Sequence, residues 1–329
     1  MFIGAGDLAG LLAEHQPGRT LAGVTRLTGG SKKGVYRLTF DDGPTVILYA
    51  WNPDENYWPA SGDPLDDPFS DASGPDLFET SQAALDAAGA RPPRLYAFDR
   101  TGRHHPADLA LVEDVRGGSL ETLLDRDSAA AAGPLAVLGA SLRAMHATRS
   151  PYFGKLAFID RGIAPQDRRA EDVVVDRALR HLATVAARDP RVAAARHDIE
   201  ALVRTKRAAV APRREYGLVH GELGADHVLL DDDGRPVIID IEGLTYFDVE
   251  WEHAFLRLRF GAHYSRLGLP EVDEDRVDLY AFAQSLSLIE GPLRIADTDF
   301  PDREWMLNLA EWNIGRVLTA VAGRGGPGR

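Results

Sequence analysis

The sequence contains no cysteine, which excludes disulfides, thiolate metal sites and cysteine nucleophiles. Lysine is scarce: of 37 basic residues only four are lysine, namely Lys32, Lys33, Lys155 and Lys206. No run of about 18 apolar residues occurs, so no membrane-spanning helix and no membrane partner are expected. The opening stretch "MFIGAGDLAGLLAEH" has no basic segment and no long apolar core, so no signal peptide is expected. A reducing cytoplasm is the expected location. No basic patch stands out against a net charge of -13. A nucleic-acid partner is therefore not expected, because phosphate backbones bind to clustered Lys and Arg. The negative charge favours solubility and would also attract a cationic ligand.

What is present suits an ordinary folded protein. The chain has 329 residues, 44% hydrophobic and 26% charged, enough apolar material for one large domain or two lobes. Near the start, "TLAGVTRLTGG", "GVYRLTF" and "TVILYAW" read as strands rich in β-branched and aromatic residues. Asp41-Asp42-Gly43-Pro44 forms the turn between the last two. Residues 29–34 are then a glycine-rich turn between antiparallel strands. "DLFETSQAALDAAGA" reads as a helix, and "PRLYAFD" and "DLALVEDV" as two further strands. After Gly117-Gly118 the pattern becomes mostly helical. The expected fold class is α+β, with an antiparallel sheet and a helix in residues 1–113 and a mostly helical part in residues 114–329. The irregular run 52–75 is read as a surface loop, with a lid or substrate-contacting flap as the alternative. Its acids Asp54, Glu55, Asp63, Asp66 and Asp67 would suit an amine-bearing ligand.

The chemistry concentrates in "YGLVHGELGADHVLLDDDGRPVIIDIEG", residues 216–243. A short apolar run stops at His220-Gly221-Glu222. A second strand, a turn and a third strand then lead to Asp240. One carboxylate beside an alcohol and another beside a metal is what phosphoryl transfer requires: the first deprotonates the nucleophile, the second holds the ion that bridges phosphates.

This stretch resembles the catalytic and metal segments of the aminoglycoside phosphotransferase family, which has a bilobal, protein-kinase-like fold. The family pattern is His-Gly-Asp-Leu, three residues, Asn, and later Ile-Asp. The sequence has His220-Gly221-Glu222-Leu223, then His227, then Ile239-Asp240. The likeness extends over nearly the whole chain. Gly29, Gly30, Ser31, Lys32, Lys33 and Gly34 resemble the nucleotide-covering loop. Glu79 stands where the family's helix-C glutamate would be, and Glu113 to Val115 resemble the hinge that meets the base. Asp248 and Glu252 match a conserved acidic segment of the family. The resemblance implies transfer of a γ-phosphoryl from ATP or GTP to a hydroxyl of a small molecule, as in antibiotic kinases. It implies magnesium as the ion, Glu222 as the base, Asp240 and His227 as metal residues, and His220 and Glu252 as loop-orienting residues. A monomer or a homodimer is expected.

Three positions depart from the pattern. Glu222 replaces Asp, His227 replaces Asn, and Tyr49 replaces the strand-three Lys or Arg. Imidazole suits magnesium less well than oxygen, so manganese is an alternative ion, and Asp226 and Glu242 are nearby carboxylates that could supply oxygen. Tyrosine cannot neutralise phosphate. One of the glycine-loop lysines, Lys32 or Lys33, is expected to take over that task, with Glu79 as its ion-pair partner. The alternative to an active kinase is a nucleotide-binding pseudokinase without turnover.

Overall fold

The computed structural model describes residues 2–28, 30–58, 65–70, 73–163 and 168–323. Gly29, Asp63 and the C-terminal "GGPGR" therefore lie outside the described residues. The described chain forms two compact units.

The first unit comprises residues 1–60, 71–145 and 224–244. Its centre is an antiparallel sheet of β1 (Leu21–Arg26), β2 (Gly34–Phe40), β3 (Thr45–Trp51), β4 (Leu95–Asp99) and β5 (Asp108–Glu113), in the order β1-β2-β3-β5-β4. The expected turn between β2 and β3 is present, and Gly43 in it has φ +95°. Along β2, Tyr36, Leu38 and Phe40 are buried while Val35, Arg37 and Thr39 are less so, the period-two pattern of a strand with one core face. The central strand β3 is buried on both faces. Val46, Leu48 and Ala50 pack with Leu8, Leu11 and Leu12 of the N-terminal helical segment, which includes α1 (Ala9–His15). The opposite face meets α2 (Pro75–Ala87) through rings. Tyr49 packs edge-on to Phe78 and Trp51 lies tilted against the same ring, with centroids 5.5 and 5.8 Å apart. The two units do not follow the expected division at residues 113 and 114, because the first unit also takes in residues 114–145 and 224–244. The hairpin Val228–Leu230/Pro236–Ile238 belongs to the first unit because its backbone is bonded there. Gly117 N donates to Leu230 O at 2.9 Å, Leu230 N to Gly118 O at 2.9 Å, and Ile238 N to Arg91 O at 2.8 Å. A Cβ on Gly117 would lie 2.4 Å from Leu230 O, so the close approach demands glycine there.

The second unit comprises residues 61–70, 146–223 and 245–329. Helices Ala170–Ala186, Pro190–Ala209, Val249–Phe260, Glu274–Ile295 and Arg303–Ala322 enclose a core of Val174, Leu182, Ile199, Val203, Leu279, Leu286 and Ile314. No helix among the described residues is long and apolar enough to cross a membrane. A buried ionic network ties the helices together. The Arg276 side chain is only 2% exposed and pairs with Asp248, donates to Ala211 O and lies 3.7 Å from Glu171. Tyr280 donates to the same Asp248 carboxylate. Arg213 adds a pair with Glu250, at 2.5 and 2.8 Å. Segment 65–70 is fastened to this unit. Buried Lys155 donates to Pro68 O at 3.1 Å and to Ser70 O at 2.5 Å, while the Phe69 ring sits 4.7 Å from that of Trp251.

Two of the acids expected to form an open acidic flap are not available to a ligand. Glu55 is fully buried, and Asp67, 3% exposed, accepts from Phe69 N and faces Arg180 at 3.6 Å.

Removing one partner of a buried charge network strands the others. Arg276→Leu is expected to lower unfolding stability by about 3–5 kcal/mol in denaturant titrations; a loss within about 1 kcal/mol, the range of an exposed pair, would show that the network contributes little.

Candidate active site

Chain entry into the glycine loop is set by β1 and β2, with Leu27 N bonded to Val35 O at 2.8 Å. The last residue before β2, Lys33, turns inward and is 8% exposed. Its ammonium lies 2.6 Å from Glu242 Oε1 and 3.3 Å from Asp240 Oδ1. It also lies 5.0 Å from the centre of the Tyr49 ring. Burial alone would lower the Lys33 pKa, but Glu242 and Asp240 outweigh it and hold the pKa well above its ordinary value. Burial pushes the Tyr49 phenol up to about 12. Tyr49 is thus a neutral ring under a fixed cation, an arrangement that ring quadrupoles favour.

The two carboxylates come from the segment after the hairpin. Ile239 N bonds to His227 O at 3.0 Å, which fixes the approach of the chain to Asp240. Asp240 itself is the only non-glycine residue with positive φ among the described residues, at φ 58° and ψ 48°. Asp tolerates this left-handed conformation better than most residues. The bend leaves the Asp240 side chain 46% exposed and buries that of Glu242 to 4% exposure, so one carboxylate of the pair faces outward and the other is enclosed.

The loop before Glu222 is held within the second unit. Buried Glu252, on helix Val249–Phe260, accepts from His220 N at 2.5 Å and Gly221 N at 3.2 Å. Trp251 Nε1 donates to Gly221 O at 2.9 Å. Burial raises the Glu252 carboxyl pKa, while the His220 side chain and the loop amides pull it back. The His220 side chain is fully buried. Gly221 has φ +95°, a conformation that favours glycine. Glu222 follows directly and is partly exposed.

Other expected site residues lie elsewhere. The expected pairing of Glu79 with a loop lysine is corrected: Glu79 is 60% exposed and pairs with Arg100 at 2.9 Å. On α2 the inward positions are Leu77, Phe78, Ser81, Gln82 and Leu85, so residue 79 points out, and Phe78 supplies the ring that Tyr49 packs against. Lys32 does not join the carboxylates; its ammonium lies 5.2 Å from the Trp58 ring. Glu113 accepts from Arg91 Nη2 at 2.7 Å and Arg94 N at 3.1 Å, which occupies its carboxylate, while Val115 is buried nearby in sequence. Between them Asp114 grips Arg37 through both oxygens, at 2.7 and 2.9 Å. His227 Nε2 lies 3.6 Å from Asp226 Oδ2. Glu242 was visible in the sequence only as a carboxylate two residues after Asp240; its role as the partner of Lys33 had no local signal.

No group of three or more His, Asp or Glu side chains arranged to hold a metal exists among the described residues. The donors do match a hard divalent cation in kind. Asp240 and Glu242 offer carboxylate oxygens on either side of an existing positive charge. Two protein oxygens suit magnesium that arrives with a nucleotide, where phosphates and water complete the shell.

No curated protein matches the sequence. Solved structures match over almost the full length. A thermostable mutant of aminoglycoside phosphotransferase APH(4)-Ia aligns with a TM-score of 0.63 at 16% identity, over 97% of this chain and 99% of that one. Spectinomycin phosphotransferase APH(9)-Ia, in complex with ADP and spectinomycin, aligns at 0.66 and 13%, over 98% and 99%. Macrolide 2'-phosphotransferase type I aligns at 0.56 and 16%, over 94% and 97%. These likenesses establish the kinase-like fold. The model of the phosphotransferase enzyme family matches residues 76–286, well over half of the sequence. The chain is a member of the phosphotransferase enzyme family, the small-molecule kinases built on the protein-kinase-like fold.

Proposed function

We propose that this enzyme transfers the γ-phosphoryl of ATP or GTP to a hydroxyl of a small molecule, with an antibiotic of the aminoglycoside or nucleoside type as the acceptor class. The observation that carries the reading is the Lys33 ammonium held between Asp240 and Glu242. A cation delivered by a glycine loop onto the acid that follows the third strand is what a phosphate chain needs at its α and β groups. It answers the loss of the strand-three lysine at Tyr49.

Each residue has a stated part. Glu222 accepts the proton of the acceptor hydroxyl as its oxygen bonds to the γ-phosphorus and the bond to the nucleotide's bridging oxygen breaks. Glutamate reaches about one methylene further than aspartate, and a misplacement of about 1 Å can cost a hundredfold in rate, so the backbone pinning by Glu252 is central to where Glu222 ends up. Asp240 and Glu242 would hold magnesium, or manganese if the His227 nitrogen joins them; the ion would neutralise charge on the phosphates. Lys33 binds the α- and β-phosphates. Gly30, Ser31 and Gly34 let the loop backbone approach the nucleotide, and Glu113 to Val115 form the hinge beside its base. An amine-bearing acceptor suits the net charge of -13. Related structures support the nucleotide and the acceptor class, since one contains ADP with spectinomycin and another AMP-PNP with hygromycin B.

The test is calorimetric binding of ATP and GTP with magnesium or manganese, followed by phosphate transfer to a panel of aminoglycosides and nucleoside antibiotics. Tight nucleotide binding with no transfer to any acceptor would convert the reading to a nucleotide-binding pseudokinase. Glu222→Ala is expected to lower kcat by about a hundredfold or more while nucleotide affinity stays within about twofold. Asp240→Asn is expected to abolish the metal dependence of nucleotide binding; calorimetry that shows the same metal dependence as the parent would remove Asp240 from that role.

A further inference from the structure

Glycine loops carry few side-chain anchors, and their position is otherwise set only by the strands on either side. Here a separate segment reaches over the loop. Glu55, fully buried, ends the short helical turn Pro53–Glu55 that follows β3. Its carboxylate accepts from Arg26 Nε at 2.8 Å, at the end of β1, and from the Tyr36 hydroxyl at 2.7 Å, in β2. It therefore ties the two strands that carry the loop. It also fills the space beside Gly34, where a Cβ would lie 2.4 Å from Glu55 Oε1. Nearer the tip, Tyr57 N donates to Ser31 O at 2.8 Å and Trp58 Nε1 donates to Ser31 Oγ at 2.9 Å. The Trp58 ring underlies Lys32 at 5.2 Å, and Ser73 Oγ donates to Lys32 O at 3.1 Å. Residues 31 and 32 are thus held by backbone, hydroxyl and ring contacts from residues 57 and 58, with one further bond from Ser73. The next residue is Lys33.

We infer that residues 55–58 form a clasp that sets the glycine loop, and that Trp58 is a positioning residue for nucleotide binding through Ser31 and Lys32. The inference rests on the phosphotransferase reading of Lys33. A loop fixed before the ligand arrives loses less freedom on binding, so the clasp strengthens nucleotide affinity without touching the nucleotide. The lid reading of the irregular segment thereby becomes specific: its first residues serve the nucleotide loop.

Trp58 is only half-buried, so its removal leaves the core intact. Trp58→Ala is expected to raise the KM and the Kd for ATP by about five- to tenfold, the scale of one hydrogen bond and one ring contact, with the acceptor KM and the melting temperature unchanged. Trp58→Phe keeps a ring but loses the hydrogen bond, and is expected to fall between. Amide exchange at residues 31–34 is expected to quicken in Trp58→Ala, a readout that needs no nucleotide. An unchanged KM for ATP, a change confined to the acceptor KM, or unchanged exchange at residues 31–34 would each overturn the clasp. If the parent enzyme binds neither ATP nor GTP, the phosphotransferase reading fails, and the exchange experiment still decides whether the clasp orders the loop.

Discussion

One ammonium between two carboxylates organises the first unit. Lys33 Nζ meets Glu242 at 2.6 Å and Asp240 at 3.3 Å, with the face of Tyr49 beneath it. Burial alone would push a lysine this enclosed toward its neutral form, and the two carboxylates outweigh that burial. These contacts also join three pieces of chain far apart in sequence: the glycine loop, strand β3 and the segment after the third strand of the motif. With Lys33 supplying the cation beside these carboxylates, β3 carries an aromatic residue, Tyr49, where its ring lies under that cation. The consequence runs outward through Tyr49 to Phe78 and the ring cluster that seats α2.

Placement of the remaining polar groups depends on backbone held by buried carboxylates. Glu252 collects the amides of His220 and Gly221, and Asp248 anchors Arg276 and Tyr280. Glu55 collects the two strands beneath the glycine loop. In each case a buried acid gathers several donors from different segments, and a loop or strand end is tied down as a result. The left-handed turn at Asp240 is a similar commitment, since it separates the exposed carboxylate from the enclosed one two residues later.

Much of this was legible in the residues themselves. The period-two strands, the Asp-Asp-Gly-Pro turn and the order of the glycine loop, His-Gly-Glu and Ile-Asp identified the architecture, because local pattern and tertiary need agree there. The scarcity of lysine narrowed the proposed phosphate-binding cation to Lys32 or Lys33, and of the two it is Lys33 that lies beside Asp240 and Glu242. What could not be read was pairing across long separations. Glu79 lies at a plausible place in sequence, yet helical spacing turns it outward while Phe78 turns in. Glu55 reads as one more acid in a polar loop, although it is the least exposed carboxylate near the glycine loop. The hairpin of residues 228–238 likewise joins the first unit through backbone bonds that no local signal announces.

The relocated lysine is tested most directly by comparing nucleotide affinity in Lys33→Ala and Lys32→Ala by calorimetry, with magnesium present. The account predicts a loss of about tenfold to a hundredfold for Lys33→Ala, the scale of a charge-assisted bond to phosphate, and only a small loss for Lys32→Ala. Equal affinities in Lys33→Ala and the parent enzyme would contradict it.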